Sequence, residues 1–135
     1  MIGLMNVLHL EGAKNDIRVN ILAPTARTGM TEGLLSPVVA ELMTPESVTP
    51  GVLFLVSESA PSRVILGAGA GVFAVTHIGE TPGVYLDESE RTPETIAARF
   101  AEISDPAAAQ PLKDAFSQTY KFVAAAAKAK GIKLE

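Results

Sequence analysis

Hydrophobic and polar positions change rhythm several times along the 135 residues. Met1, Leu4, Met5 and Leu8 recur at helical spacing, Val7 and Leu10 widen the apolar arc, and Asn6, His9 and Glu11 are its polar members. This spacing predicts a helix over 1–13, and so broad an arc predicts packing on both sides. No Ser, Thr, Asp or Asn precedes it as a cap, an odd start for a helix. From Ile17 the period shortens. Ile17, Val19 and Ile21 alternate with Arg18 and Asn20, and Leu22 and Ala23 then continue the apolar run. That pattern predicts a strand over 17–23, more deeply buried at its carboxyl end. Pro24 has no N–H for a ladder and is expected to stop it. The loop that follows carries Thr25, Ala26, Thr28 and Thr31 beyond the carboxyl end of a strand expected to be parallel. In open α/β sheets that is where ligands bind.

Leu34, Leu35, Val38, Val39 and Leu42 predict one or two short helices over 32–43, interrupted by Pro37. Thr44-Pro45-Glu46 and Thr49-Pro50 each place a hydroxyl before a proline suited to the first helical position. Val52 to Val56 then supply the expected buried face of a helix ending near Ser57. Arg63 to Ala68 predicts a second strand with Val64-Ile65-Leu66 as its body, and the alternation through Val72 to Thr76 predicts a further one. Gly67, Gly69 and Gly71 match neither G-x-G-x-x-G nor a phosphate loop with Lys and Ser/Thr, so they read as sites of close backbone approach. Gly79, Pro82 and Gly83 break the chain. Thr92-Pro93-Glu94 then starts a helix expected to bury Ile96, Phe100 and Ile103. Asp105-Pro106 starts another, interrupted or restarted at Pro111, with a stripe of Leu112, Phe116, Tyr120, Val123 and Ala127. Lys128 and Lys130 suit its negative end and Gly131 its termination. The expected organisation is α/β: two to three sheet strands within 1–78, then a helical extension over 79–135 packed on them as a packing or oligomer arm.

Composition narrows the function classes. Apolar residues make up 47% and charged residues 19%, which is a folded rather than a disordered balance. A net charge of −4, without any Lys/Arg run, argues against a nucleic-acid partner. Cysteine is absent, which removes a disulfide framework and a thiolate metal site. Apolar runs such as Val52 to Val56 are too short to span a bilayer, and no basic segment precedes the first apolar stretch as in a leader peptide. Cytoplasm is the expected compartment. His9 and His77 lack metal-ligand company, so no metal is expected. Asp87, Glu88 and Glu90 read as a solvated charge run, and Ser57, Ser59 and Ser62 have no partnered histidine in the pattern.

An apolar helix, Glu11-Gly12-Ala13-Lys14, a short turn, Arg18-Val19-Asn20, Ala23-Pro24 and then Thr28-x-Met30-Thr31 follow one another in this chain. This order resembles the carboxyl-terminal half of a short-chain dehydrogenase/reductase. More narrowly, it is similar to the (3R)-hydroxyacyl-CoA dehydrogenase branch of multifunctional β-oxidation enzymes, over Met1 to about Gly71. The resemblance implies a Rossmann-like doubly wound parallel sheet, NAD or NADP as cofactor, a small-molecule substrate and a homo-oligomer. It implies that the Pro24, Thr25 and Ala26 backbone faces the nicotinamide carboxamide and that Thr28 hydrogen-bonds the carboxamide or the phosphates. Many relatives have Gly where this chain has Thr25. Arg27 reads as a phosphate-attracting or simply solvated side chain, Met30 as a packing residue, and 32–43 as a substrate lid or a plain connection. The family's hydride transfer needs a tyrosine with a lysine four residues on, which lowers the phenol pKa. Here Tyr85 is followed at that position by Ser89 and Tyr120 by Ala124. The pyrophosphate-seating glycine motif is missing as well. Two expectations stand side by side: a partial oxidoreductase with no catalytic residue, inactive alone, or a non-catalytic interaction module whose sheet edge pairs with another chain.

Overall fold

Polar side chains, rather than ladder bonds, fix the start of the first strand. In the computed structural model, which describes residues 1–134, Asn20 Nδ2 donates to the Pro61 carbonyl at 2.7 Å and its Oδ1 accepts the Val64 N–H at 3.0 Å. The Arg18 guanidinium donates to the carbonyls of Glu58 and Ala60, and the Val19 N–H reaches Ser62 Oγ at 3.0 Å. A regular ladder begins only after these clamps. Strand β1 (Ile21–Thr25) pairs in parallel with β2 (Ile65–Gly69), from Ile21 opposite Ile65 to Thr25 opposite Gly69. Strand β3 (Val72–Thr76) pairs antiparallel on the far side of β2, giving the order β1-β2-β3. An antiparallel edge on a parallel pair is a common arrangement.

The observed β1 departs from the expected 17–23 strand at both ends. Residues 17–20 lie outside the strand, held by those side chains and by the Arg63 N–H on the Val19 carbonyl at 2.8 Å. At the other end the strand runs through Pro24, which was expected to stop it. The Ile21 N–H points to β2, bonding the Val64 carbonyl at 2.8 Å, and alternate residues of a strand face alternate sides. Ala23 and Thr25 therefore also face β2, and the proline nitrogen lies on the free edge, where no ladder bond is lost. The glycine run is divided between strand and turn. A Cβ on Gly69 would stand 2.8 Å from the Thr25 carbonyl oxygen, so the parallel pair closes only without a side chain there. Ala70 (φ 50°) and Gly71 (φ 76°) form the two-residue link from β2 to β3, with the paired positive φ values that such tight hairpins use.

The chain divides into two compact units, Met1–Thr76 and His77–Glu135. In the first, α1 (Ile2–Gly12), α2 (Pro37–Leu42) and α3 (Thr49–Leu55) accompany the sheet. Its core is small: Met5, Val48, Ala60, Ile65, Leu66 and Ala68. The expected burial of 52–56 fails, since Leu53 is 63% and Val56 75% exposed. The buried residues of this stretch are Gly51 and the preceding Val48, and the described residues of this unit leave the opposite face of α3 exposed. For the same reason α1 is not packed on both sides; Met5 and Gly12 are buried while Leu4, Val7, Leu8 and Leu10 stay exposed. Pro37 does not interrupt a helix but opens α2, behind Ser36 as cap.

The second unit contains α4 (Pro93–Ala98), α5 (Phe100–Ile103) and α6 (Ser117–Lys130). Thr92 caps α4 by accepting the Thr95 N–H. Asp114 Oδ1 accepts the N–H groups of Phe116 and Ser117 at 2.9 Å each, so α6 starts there rather than at Pro111. Gly131 (φ 64°) ends it, with the Ile132 N–H returning to the Ala127 carbonyl. Glu80 organises the unit. Its backbone exchanges two hydrogen bonds with Gln110, and its carboxylate accepts from Lys121 Nζ and Gln118 Nε2. Lys121 also donates to the Thr81 carbonyl at 2.7 Å. This anchor rotates α6 away from the expected stripe. Tyr120 is 71% exposed and Phe116 and Val123 are exposed too, leaving Ala127 as its buried member. Ile96 and Phe100 are likewise exposed, not buried as expected, because the short α4 and α5 have no second layer over them.

Two outcomes follow from these contacts. Gly69→Ala is expected to lower unfolding stability by about 1–3 kcal/mol, the usual range for overpacking, measured by denaturant unfolding. Gly3→Ala, where a Cβ meets nothing within 4 Å, is expected to be neutral or stabilising by a few tenths of a kcal/mol. The Lys121 ammonium, helped by the Gln118 amide, holds the Glu80 carboxyl below the usual glutamate range against the opposing effect of desolvation. The folded chain thus binds fewer protons than the unfolded chain just below that range, and this contribution is full above it and lost as pH falls through the depressed value. Unfolding midpoints followed from neutral pH to acid should show the decline in wild type and a flatter profile in Glu80→Gln.

Candidate functional site

The segment leaving the carboxyl end of β1 folds back on itself by local hydrogen bonds. The Arg27 N–H bonds the Met43 carbonyl at 2.6 Å, tying the loop to the end of α2. Thr28, with extended backbone, donates its N–H to Thr31 Oγ1 at 2.9 Å, and that hydroxyl donates back to the Thr28 carbonyl at 2.9 Å. The result is a single 3₁₀ turn, Gly29–Thr31, followed by Gly33 and the start of α2. Threonines three apart favour such a turn because a short hydroxyl side chain can replace a backbone partner.

This turn and the first part of α2 enclose an open cavity of about 480 Å³, lined by Arg27, Thr28, Gly29, Thr31, Glu32 and Leu35 among others. The Arg27 side chain makes no hydrogen bond or ion pair among the described residues, leaving a cation at the mouth. Of the four positions expected to meet a cofactor, Thr28 lines this cavity. Pro24 and Thr25 belong to β1, with Thr25 held against Gly69, and Ala26 follows half-buried at the strand's end. Met30, expected to pack, is 88% exposed. Glu32 and Leu35, which the sequence places in a segment expected to be a substrate lid or a plain connection, line it as well.

The donor set suits one end of a nicotinamide dinucleotide. The Thr31 hydroxyl is spent on the Thr28 backbone, which leaves the Thr28 hydroxyl to meet a carboxamide, and an unpaired guanidinium suits a phosphate oxygen. Nothing in the described residues supplies the glycine-rich turn that a pyrophosphate requires.

One sequence expectation is overturned nearby. Ser62 does have a histidine partner: His9 Nδ1 lies 2.8 Å from Ser62 Oγ. The contact is structural. Ser62 Oγ already accepts the Val19 N–H, the adjacent Arg63 Nε donates to Asn6 Oδ1 at 2.9 Å, and no carboxylate bonds His9 among the described residues. Together these bonds staple α1 to the approach of β2. The described residues contain no group of three or more His, Asp or Glu that could hold a metal ion, and no helix long and apolar enough to cross a membrane.

No family model matches the sequence. The chain is 40% identical over 106 residues to a short-chain type dehydrogenase/reductase of Mycobacterium tuberculosis, covering 78% of this chain and 37% of that protein. It is 38% identical over 108 residues to the peroxisomal hydratase-dehydrogenase-epimerase of Saccharomyces cerevisiae, covering 78% of this chain and 12% of the relative. The peroxisomal multifunctional enzyme type 2 of Mus musculus is 34% identical over 108 residues, with 78% and 15% covered. Among solved structures, the full-length peroxisomal multifunctional enzyme type 2 of Drosophila melanogaster superposes with a TM-score of 0.75 at 23% identity. It matches 95% of this chain with 24% of its own length, a likeness of fold alone. The chain thus spans little more than a third, or less, of the curated relatives it matches. Within that span, the chain is similar to short-chain dehydrogenases/reductases, and its α/β fold resembles a part of theirs.

Proposed function

We propose that residues 1–78 form the nicotinamide end of the cofactor site of an NAD- or NADP-dependent oxidoreductase. Its substrate is a small molecule with a secondary alcohol or ketone, of the hydroxyacyl thioester type, and 79–135 is a helical extension. The observation that carries this reading is the Thr28–Thr31 turn at the carboxyl end of parallel β1, opening onto a cavity beside an unpaired Arg27. When bound, the nicotinamide supplies a hydride acceptor or donor. This chain's own residues bind and orient. Thr28 hydrogen-bonds the carboxamide, the backbone of Pro24 to Ala26 borders it, and Arg27 offsets phosphate charge. No residue here takes the proton of the alcohol, since neither Tyr85 nor Tyr120 has a lysine four positions on. The chain alone therefore binds without turnover.

A second reading rests on a different observation. Leu4, Val7, Leu8 and Leu10 of α1 are exposed, and β1 leaves one edge of the sheet unpaired. Read this way, the unit is an interaction or oligomerisation module, and it predicts a dimer or larger species by light scattering, where a strict monomer at high concentration would count against it.

The cofactor reading is tested by amide-resolved NMR titration with NADH and NADPH. Shifts confined to 25–33 are expected, and Thr28→Val is expected to weaken binding about fivefold, the worth of one hydrogen bond of about 1 kcal/mol. With NAD+ or NADP+ supplied instead, no formation of reduced cofactor is expected with a 3-hydroxyacyl thioester. Absence of any shift in that loop would overturn the cofactor assignment, and steady turnover would overturn the claim that the chain lacks its proton-transfer group.

A further inference from the structure

The second unit holds a cavity that the oxidoreductase reading does not use. It measures about 670 Å³ and lies between the 80–86 segment, α4, α5 and one face of α6. That volume falls within the range of small-ligand pockets. Its walls are mostly hydrocarbon, with Val84, Leu86, Ile96, Ile103 and Phe122 among them. Two polar groups break this lining. The Tyr85 hydroxyl is buried and has no hydrogen-bond partner, an unusual condition for a phenol that can both donate and accept. Arg91 also lines the cavity, and its Nε donates to the carbonyl of Leu86, the neighbour of Tyr85, at 3.2 Å. Its two terminal nitrogens make no bond among the described residues. The other cation on the lining, Lys121, is already committed to Glu80 and the Thr81 carbonyl. The cavity therefore combines a long apolar wall, one uncompensated guanidinium and one phenol in need of a partner.

We infer that this cavity binds an amphiphile of the fatty-carboxylate class: the hydrocarbon chain lies along Ile96, Ile103 and Phe122, and the carboxylate is held by Arg91 with Tyr85 donating to it. Each feature selects part of that ligand. Apolar walls reject a sugar or nucleotide, whose hydroxyls would be buried without partners. A free guanidinium favours an anion, and a planar carboxylate can take two parallel N–H bonds from it. The carboxylate also relieves the orphaned phenol, whereas a neutral alkane would leave it unsatisfied. The site lies wholly within 80–126 and is independent of the cofactor assignment.

The test is a titration of the full chain with decanoate and with methyl decanoate, read by amide NMR and by displacement of a carboxylate-headed fluorescent alkyl probe. Saturable decanoate binding is expected, with shifts at Ile96, Ile103 and Phe122. Methyl decanoate is expected to bind at least tenfold more weakly. Arg91→Gln is expected to lose roughly tenfold or more, as follows loss of a charge-assisted hydrogen bond, and Tyr85→Phe, which keeps the ring, a smaller factor. Preserved amide spectra identify folded variants, and the acid-against-ester comparison on wild type needs no variant at all. Shifts confined to the exposed face of α1, equal binding of acid and ester, or no saturable binding would each overturn the assignment.

Discussion

The parallel pairing of β1 with β2 is the constraint on which the first unit depends. Parallel neighbours cannot be joined by a tight turn, so residues 26–64 must cross over before the ladder can close. Closing so long a segment costs chain entropy that the five ladder positions alone recover poorly. The clamps ahead of the ladder make up the difference: Asn20 holds both Pro61 and Val64, Arg18 holds Glu58 and Ala60, and Ser62 takes the Val19 N–H. Gly69 then lets the strands meet where Thr25 would exclude any side chain. The same crossover carries the Thr28–Thr31 turn and its cavity. The site is thus a product of the parallel topology, placed where such sheets present ligands.

The second unit rests on a different principle. Two of its three helices, α4 and α5, are short and its apolar side chains are largely exposed, so it is held by a polar node: Glu80 bridges Gln110 through backbone and reaches α6 through Gln118 and Lys121. A partly exposed ion pair is worth little by itself, but this one fixes the rotation of α6. In doing so it turns Phe122, Ala125 and Ala126 toward a cavity and sends Tyr120 and Val123 into solvent.

Much of this was legible in the sequence where local chemistry decides. The α/β order, the strand bodies at Ile65-Leu66 and Val72–Thr76, the Thr92-Pro93 helix start and the Gly131 stop all follow from short-range rules. Reading failed where a distant partner decides. Pro24 sits inside β1 because its nitrogen faces the free edge, which pattern alone does not show. The stripe on α6 was misplaced because helical periodicity cannot foresee the Glu80 anchor. His9 and Ser62 are 53 positions apart, and nothing local announces their contact. At the site, Thr28 was legible from the resemblance, while Glu32 and Leu35 enter through the fold of the loop. Burial was overestimated throughout, since apolar character marks a face that needs cover and not whether this chain provides it.

The central claim is that the turn after β1 receives the nicotinamide portion of a dinucleotide. Saturation-transfer NMR tests it most directly: the protein is irradiated and the signal passed to bound NADH or NADPH is read proton by proton. The account predicts strong transfer to the nicotinamide ring protons and weak transfer to the adenine protons, because no glycine-rich turn that would seat the pyrophosphate is found among the described residues. Equal transfer to both ends, or to neither, would contradict it.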